Sequence, residues 1–390
     1  MAAFLSQGPI FLLSLVFMLG IVVIIHELGH YLAGRYFGAA VESFSVGFGK
    51  PIYERKDNRG TRWRVNWIPL GGFVKFVGES QLPGDVGKQE AGPVGKPYGE
   101  IGVGARSIIS IAGPLANFIL AVVLFSVIYG FNGTYESKVQ IMSVAEGQPA
   151  ALSGLEAGDV FVEIDGHEIL RTGDVQQAVL MTAGRTIDVI VEREGASETF
   201  KVTPESQVRD NGLGQMMPQA TLGVGIREVA DATKRIQLNP IQAVGKGVEQ
   251  TGFILDTTVT MIGRLVTGKE PINSLSGPVA IGDTGRRIFN ATMGETRIPL
   301  GDRIMSFVWY MLSLCAAVSI GIGFFNLLPL PILDGGHLVF NAYEAVFGKA
   351  MPEKVQEMAL MAGLCLLLTM FVFITWGDIL ETGLFNRSAG

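Results

Sequence analysis

The sequence predicts a polytopic α-helical membrane protein with four transmembrane helices, a membrane-associated β-hairpin and an inserted extracytoplasmic β domain. Three observations lead there. Only 17% of the 390 residues are charged, against about 25% in soluble domains, and the mean hydropathy is +0.38. The charges are unevenly spread: residues 1–25, 107–135, 304–333 and 358–377 contain no Asp, Glu, Lys or Arg. Between the second and third of these runs lies a long polar stretch that alternates with period two in short pieces.

Each uncharged run is long enough to cross a bilayer, which takes about 20 apolar residues. The expected spans are about 5–31, 107–130, 304–328 and 358–377. The first has no basic flank of the kind that precedes a cleaved signal peptide, and it runs directly into His26-Glu27. It is therefore expected to stay. The chain divides into a first membrane half, 1–136, a β domain, 137–227, a region with an amphipathic helix and linker, 228–303, and a second membrane half, 304–390.

Segment 32–106 holds eleven Lys and Arg against seven Asp and Glu, whereas 131–303 holds sixteen against twenty-two. The positive-inside rule puts the first segment in the cytoplasm and the second outside. The net charge of -6 and the pI of about 5.4 suggest no nucleic-acid partner. Both cysteines, Cys315 and Cys365, fall in expected spans, so they read as buried thiols rather than a disulfide framework.

Residues 64–77, RVNWIPLGGFVKFV, read as two alternating strands around Pro69-Leu70-Gly71-Gly72. That hairpin is too apolar for a free surface loop and is expected against the bilayer or beside a membrane-depth site. Residues 80–100 read as a loose Gly- and Pro-rich loop. In 137–227 the pattern predicts strands at 139–144, 161–164, 186–192, 199–203 and 222–226, with helices after 147–151 and at 175–183. Residues 240–267 space their apolar positions as an amphipathic helix suited to a membrane surface.

The chemistry starts at His26-Glu27-Leu28-Gly29-His30. Histidines four residues apart share one helical face and can bind one cation, while the adjacent Glu27 can take a proton from a water at that cation. Only four histidines occur, two of them here, and ionisable clusters inside a span mark function. A catalytic zinc takes three protein ligands and leaves one position open. Asp334 is the third candidate, because Pro329 and Pro331 break the helix before it and Gly335 and Gly336 free the backbone after it. His337 is a rival ligand, or a partner that holds a carboxylate in place. His167 lies on an exposed turn. Asn326, polar and deep in the third span, can bond a substrate backbone or another helix. One Zn2+ per chain is expected.

In order along the chain, HELGH at 26–30, FSVGFG at 44–49, NWIPLGGFVKF at 66–76, SIAGPLANF at 110–118, NSLSGPVAI at 273–281 and NLLPLPILDGGH at 326–337 resemble the site-2 protease family of intramembrane zinc metalloproteases. The likeness extends to the bacterial RseP-like members that regulate sigma-E-type stress responses. It implies His26, His30 and Asp334 as zinc ligands and Glu27 as the catalytic glutamate. It also implies a substrate-engaging β-element containing Gly71, Gly72 and Phe73, Asn326 near the substrate path, and a circularly permuted PDZ-like domain at 137–227. The implied setting is a bacterial cell inner membrane with the PDZ-like domain periplasmic. The implied substrates are single-pass membrane proteins, of anti-sigma-factor type or signal-peptide remnants, cut after an upstream site-1-type protease. Many such relatives carry tandem PDZ domains, but 228–303 does not repeat the Gly-Asp-Val and Asp-Gly signals of 137–227. A membrane metal transporter, or a PDZ scaffold without protease activity, is the alternative. Glu27 argues against it, being placed for hydrolysis and unnecessary for transport.

Overall fold

The computed structural model describes residues 2–78, 92–180, 182–210, 216–229, 234–268 and 277–381. Residues 1–125, 247–255 and 276–390 form one unit, and 126–246 with 256–275 form the other.

The first helix, α1 (Ala2–Tyr36), contains a membrane-length apolar segment over Val16–Tyr36. It ends before Gly38, whose φ of +80° reverses the chain. Two long strands follow, β1 (Val41–Lys56) and β2 (Arg62–Phe76). Their connection is held by Asp57 Oδ1, which accepts the backbone N–H groups of Arg59 and Thr61 at 2.9 Å each.

Here the expected 64–77 hairpin is corrected. The stretches either side of 69–72 do not pair with each other, because β1 runs between them. Residues 43–46 face 75–72 in antiparallel register on one side. On the other they face 62–65 with both numbers rising. Sequence alternation identified both arms of β2 but not the strand that separates them. Of the loop expected at 80–100, residues 80–91 lie outside the described residues. The rest is pinned: Lys96 N–H donates to Gly38 at 2.9 Å, and Ala40 N–H donates to Lys96 at 2.8 Å.

The second span is α2 (Val103–Asn132), with Pro114 inside it. The other unit starts in the last turns of α2 and goes on through β3 (Thr134–Glu136), β4 (Val139–Val144), α3 (Pro149–Ser153), β5 (Val160–Ile164), β6 (His167–Glu168) and α4 (Thr172–Val179). It continues with β7 (Ile187–Arg193), β8 (Ala196–Val202), β9 (Glu205–Asp210), β10 (Met216–Thr221), β11 (Val224–Glu228) and β12 (Lys234–Ile236). The main sheet runs β11-β4-β5-β7-β8 with β6 on β5. Its inward face joins Val139, Ile141, Phe161, Ile164, Val189 and Val191 into one core with Val175 and Val179 of α4. The unit is wider than the expected 137–227, because β12 pairs back onto β3.

A capping box opens α5 (Pro240–Val266): Asn239 Oδ1 accepts Gln242 N–H at 2.9 Å, and Gln242 Oε1 accepts Asn239 N–H at 3.0 Å. The linker expected up to 303 contains a further helix, α6 (Pro278–Gly294), packed against α1. Its buried Asp283 takes both Arg286 and Arg287, so charges that suggest a solvated linker are satisfied locally. The last helices are α7 (Leu300–Asn326), α8 (Asp334–Phe347) and α9 (Glu353–Glu381). α7 and α9 are the third and fourth membrane-length helices. Met18 and Val22 of α1 meet Met311 and Cys315 of α7 in a buried cluster. Cys365, expected to be buried, is exposed within the chain, as an apolar lipid-facing position would be.

Candidate metal centre

The HELGH helix places its two imidazoles as the spacing predicts. Their rings are 4.8 Å apart between centroids and nearly perpendicular, with the Nε2 atoms 3.2 Å apart. Both face Asp334, the first residue of α8: His26 Nε2 lies 3.1 Å from Oδ2 and His30 Nε2 lies 3.3 Å from Oδ1.

Local chain chemistry explains how Asp334 arrives there. After α7, Leu327 and Leu328 close tight turns onto Phe324 and Phe325 at 3.0 and 3.1 Å. Pro329 and Pro331 lack N–H groups and stop the helix. α8 then starts against this turn at very close range. A Cβ on Gly335 would lie 2.1 Å from the Leu328 carbonyl oxygen, so only glycine fits. Arg106 of α2 holds α8 from the side through Glu344, at 2.5 Å.

The donor set fits a zinc ion. Ligands about 2.0–2.1 Å from a tetrahedral ion stand about 3.3 Å apart, which the three Nε2 and carboxylate separations match. The donors are largely buried, with His26 7% exposed, and Oδ2 of Asp334 accepts no hydrogen bond. His30 is also set for the required tautomer. Its Nδ1 is 2.8 Å from the Ile109 carbonyl, which can only accept, so this contact calls for a proton on Nδ1 and leaves Nε2 as the nitrogen to bind a metal.

Glu27 lies beside these ligands, and its Oε2 accepts the Val74 backbone N–H at 2.9 Å. A cavity of about 480 Å3 opens on the group and is lined further by Phe48, Phe73, Lys75, Tyr98, Asn326 and His337. Asn326 and His337 thus reach the cavity, but among the described residues the ligand cluster is His26, His30 and Asp334 without His337. Phe73 lines the cavity, while Gly71 and Gly72 belong to the same arm of β2 without lining it. His167 is exposed on its turn, its Nδ1 3.1 Å from the Asp165 carbonyl.

Sequence reasoning left three contributors without a role: the carbonyl of Ile109, Gly113 and Asn117, all on α2. Gly113 is required by closeness, since a Cβ there would lie 2.2 Å from His30 Nε2. The Gly-Pro and the lone Asn inside an apolar span were the available signals.

The family model of peptidase family M50 matches residues 14–370. The chain belongs to family M50. A protein named as a zinc metalloprotease from Mesorhizobium japonicum is 36% identical over 380 residues, covering 94% of this chain and 98% of its own. The metalloprotease MmpA of Caulobacter vibrioides is 34% identical over 395 residues, covering 98% of both chains. A solved PDZ domain of the SdrC-like protein from Listeria monocytogenes covers 25% of this chain at 24% identity and a TM-score of 0.20, too slight a likeness to decide the fold of the β unit. With four membrane-length helices among the described residues and bacterial relatives, this M50 chain is a bacterial multi-pass membrane zinc metalloprotease whose candidate zinc site is His26, His30 and Asp334.

Proposed function

We propose that the chain hydrolyses peptide bonds within transmembrane segments of regulatory membrane proteins of anti-sigma-factor type, after a first, site-1-type protease has cut the substrate outside the membrane. Signal-peptide remnants are a second substrate class. The observation that carries this reading is the convergence, on one cavity, of the three-ligand cluster, the Glu27 carboxylate and an arm of β2.

His26, His30 and Asp334 would hold the zinc, which when bound would supply Lewis acidity toward the scissile carbonyl and an attacking water. Glu27 takes the proton from the attacking water and returns it to the leaving amine. With Oε2 engaged by Val74, Oε1 is the oxygen left to face that water. Asn326, on the cavity wall, bonds the substrate backbone or the developing oxyanion. A substrate helix must unwind before its carbonyls can react. Pairing an extended stretch with the 72–76 arm, which includes Gly72 and Phe73, replaces the helix bonds that are lost.

The β unit is read as a single PDZ-like domain that screens substrates on the periplasmic side of a bacterial inner membrane, with α5 against the lipid surface. Supporting this are its six-stranded antiparallel sheet with two short helices and the acidic balance of 131–303. The test is a membrane proteome compared between cells with the wild-type chain and with Glu27→Gln. Membrane-anchored fragments that accumulate only with the variant are the expected result. Identical fragment inventories would overturn the proposal.

A further inference from the structure

Asn117 lies in the middle of α2, completely buried in an apolar membrane-length helix. A polar side chain there is costly unless it is bonded. Its amide is 3.2 Å from Nδ1 of His26. Its backbone carbonyl accepts the hydroxyl of Ser319 on α7 at 2.9 Å, and Ser319 is equally buried. One residue therefore touches the helix that carries the histidines and the helix that leads to Asp334.

Tautomer chemistry decides what the contact does. His26 presents Nε2 to the other two ligands, so binding a metal there puts the ring proton on Nδ1, which then needs an acceptor. As placed, Asn117 turns its NH2 toward Nδ1 while its Oδ1 is buried without a partner. With Nδ1 protonated, that orientation sets donor against donor. A half-turn of the amide exchanges two atoms of similar size and brings Oδ1 onto Nδ1–H. What remains is one unpartnered NH2, in place of a donor clash and an orphan oxygen.

We propose that Asn117 is a positioning residue for the metal centre: its side-chain oxygen accepts the Nδ1–H of His26 and so holds that imidazole in the metal-binding tautomer and orientation. α2 then serves both ligands in the same way, by a backbone carbonyl at Ile109 for His30 and by a side chain at Asn117 for His26. The assignment rests on the reading of His26, His30 and Asp334 as the zinc site.

The test uses the full chain in detergent and measures zinc affinity by competition with a chromophoric chelator. Asn117→Leu keeps the branched shape, with methyls somewhat bulkier than the amide atoms, and removes the acceptor. Its zinc affinity is expected to fall by about 10–100-fold. Asn117→Asp restores an acceptor and is expected to bind zinc at least as tightly as wild type, with the visible bands of the Co2+-loaded protein shifted by the more basic imidazole. Wild-type affinity in the Leu variant overturns the proposal, as does an Asp variant as weak as Leu when both unfold at the wild-type temperature. Should the Leu variant fail to fold, the Asp variant decides: weaker zinc binding than wild type overturns the assignment. A wild-type chain that takes up no zinc overturns the metal site itself, and this inference with it.

Discussion

The backbone N–H of Val74 donates to Oε2 of Glu27 at 2.9 Å, so the arm of β2 beside the candidate ligand cluster is fastened to the carboxylate next to His26. Val74 is 4% exposed, and the bond forms away from bulk water, where it is strong and orients the acid. Substituting Gln at 27 keeps a carbonyl oxygen for Val74 and removes the base. Glu27→Gln should retain wild-type zinc content and lose about 10²–10⁴-fold in cleavage rate, measured on a reconstituted single-pass substrate. Unchanged cleavage would remove Glu27 from the reaction.

Gly113→Ala should lower zinc affinity by at least about 10-fold. The added methyl would lie 2.2 Å from His30 Nε2 and 2.9 Å from His26 Cε1, and Ile109 holds the His30 ring on its other nitrogen. Gly20→Ala is the control. It lies on α1 with no atom within 4 Å of the added carbon, and it should bind zinc normally while gaining about 0.5–1 kcal/mol of helix stability. Chelator competition on both proteins separates a local clash from a general intolerance of alanine.

Gly335→Ala and Asp334→Asn should converge on the same defect by different routes. The first pushes the start of α8 off the Leu328 carbonyl, 2.1 Å from the new carbon, and carries Asp334 away with it. The second leaves the backbone in place and removes the charge. Metal analysis should find well under one zinc per chain in each, with the helical content measured by circular dichroism unchanged. Full zinc loading in Gly335→Ala would show that the turn tolerates the shift.

The β unit should be acid-sensitive through one ion pair. Burial pushes the Asp159 carboxyl up, but hydrogen bonds from the Arg193 guanidinium and the Glu156 backbone outweigh it and hold the group below the usual carboxylate range. Both guanidinium contacts are 2.7 Å, and Asp159 is 1% exposed. A carboxylate with a depressed folded pKa stabilises the fold above its unfolded pKa of about 3.9. That contribution is lost as pH falls through the folded value. Protection factors across Val139–Val144, with the intrinsic slowing of amide exchange in acid divided out, should therefore fall below about pH 4 in wild type. Asp159→Asn should cost about 1.5–3 kcal/mol at neutral pH, the range for hydrogen bonds to a charged group, and show a flatter response in the acid window. Equal acid profiles for the two proteins would assign the sensitivity elsewhere.

What the sequence by itself determined is local. A bilayer reads hydropathy over a run of about 20 residues, so four uncharged stretches sufficed for the four membrane-length helices among the described residues. The four-residue spacing of His26 and His30 is a property of one helix, and the two prolines before Asp334 stop another, so the three members of the candidate cluster were legible too. The tertiary structure alone decided what depends on partners distant in the chain. β1 threads between the arms of β2, which alternation cannot reveal because it marks a strand without naming its neighbour. β12 returns to β3 and widens the second unit. His337 lines the cavity while Asp334 joins the ligand cluster, a choice between neighbours made by the start of α8 against the turn at Leu328. The acceptor at Ile109, the space at Gly113 and the amide of Asn117 come from α2, which carries no ligand itself. Their importance follows from how closely α2 packs on the HELGH helix, and that distance is written in no single stretch of sequence.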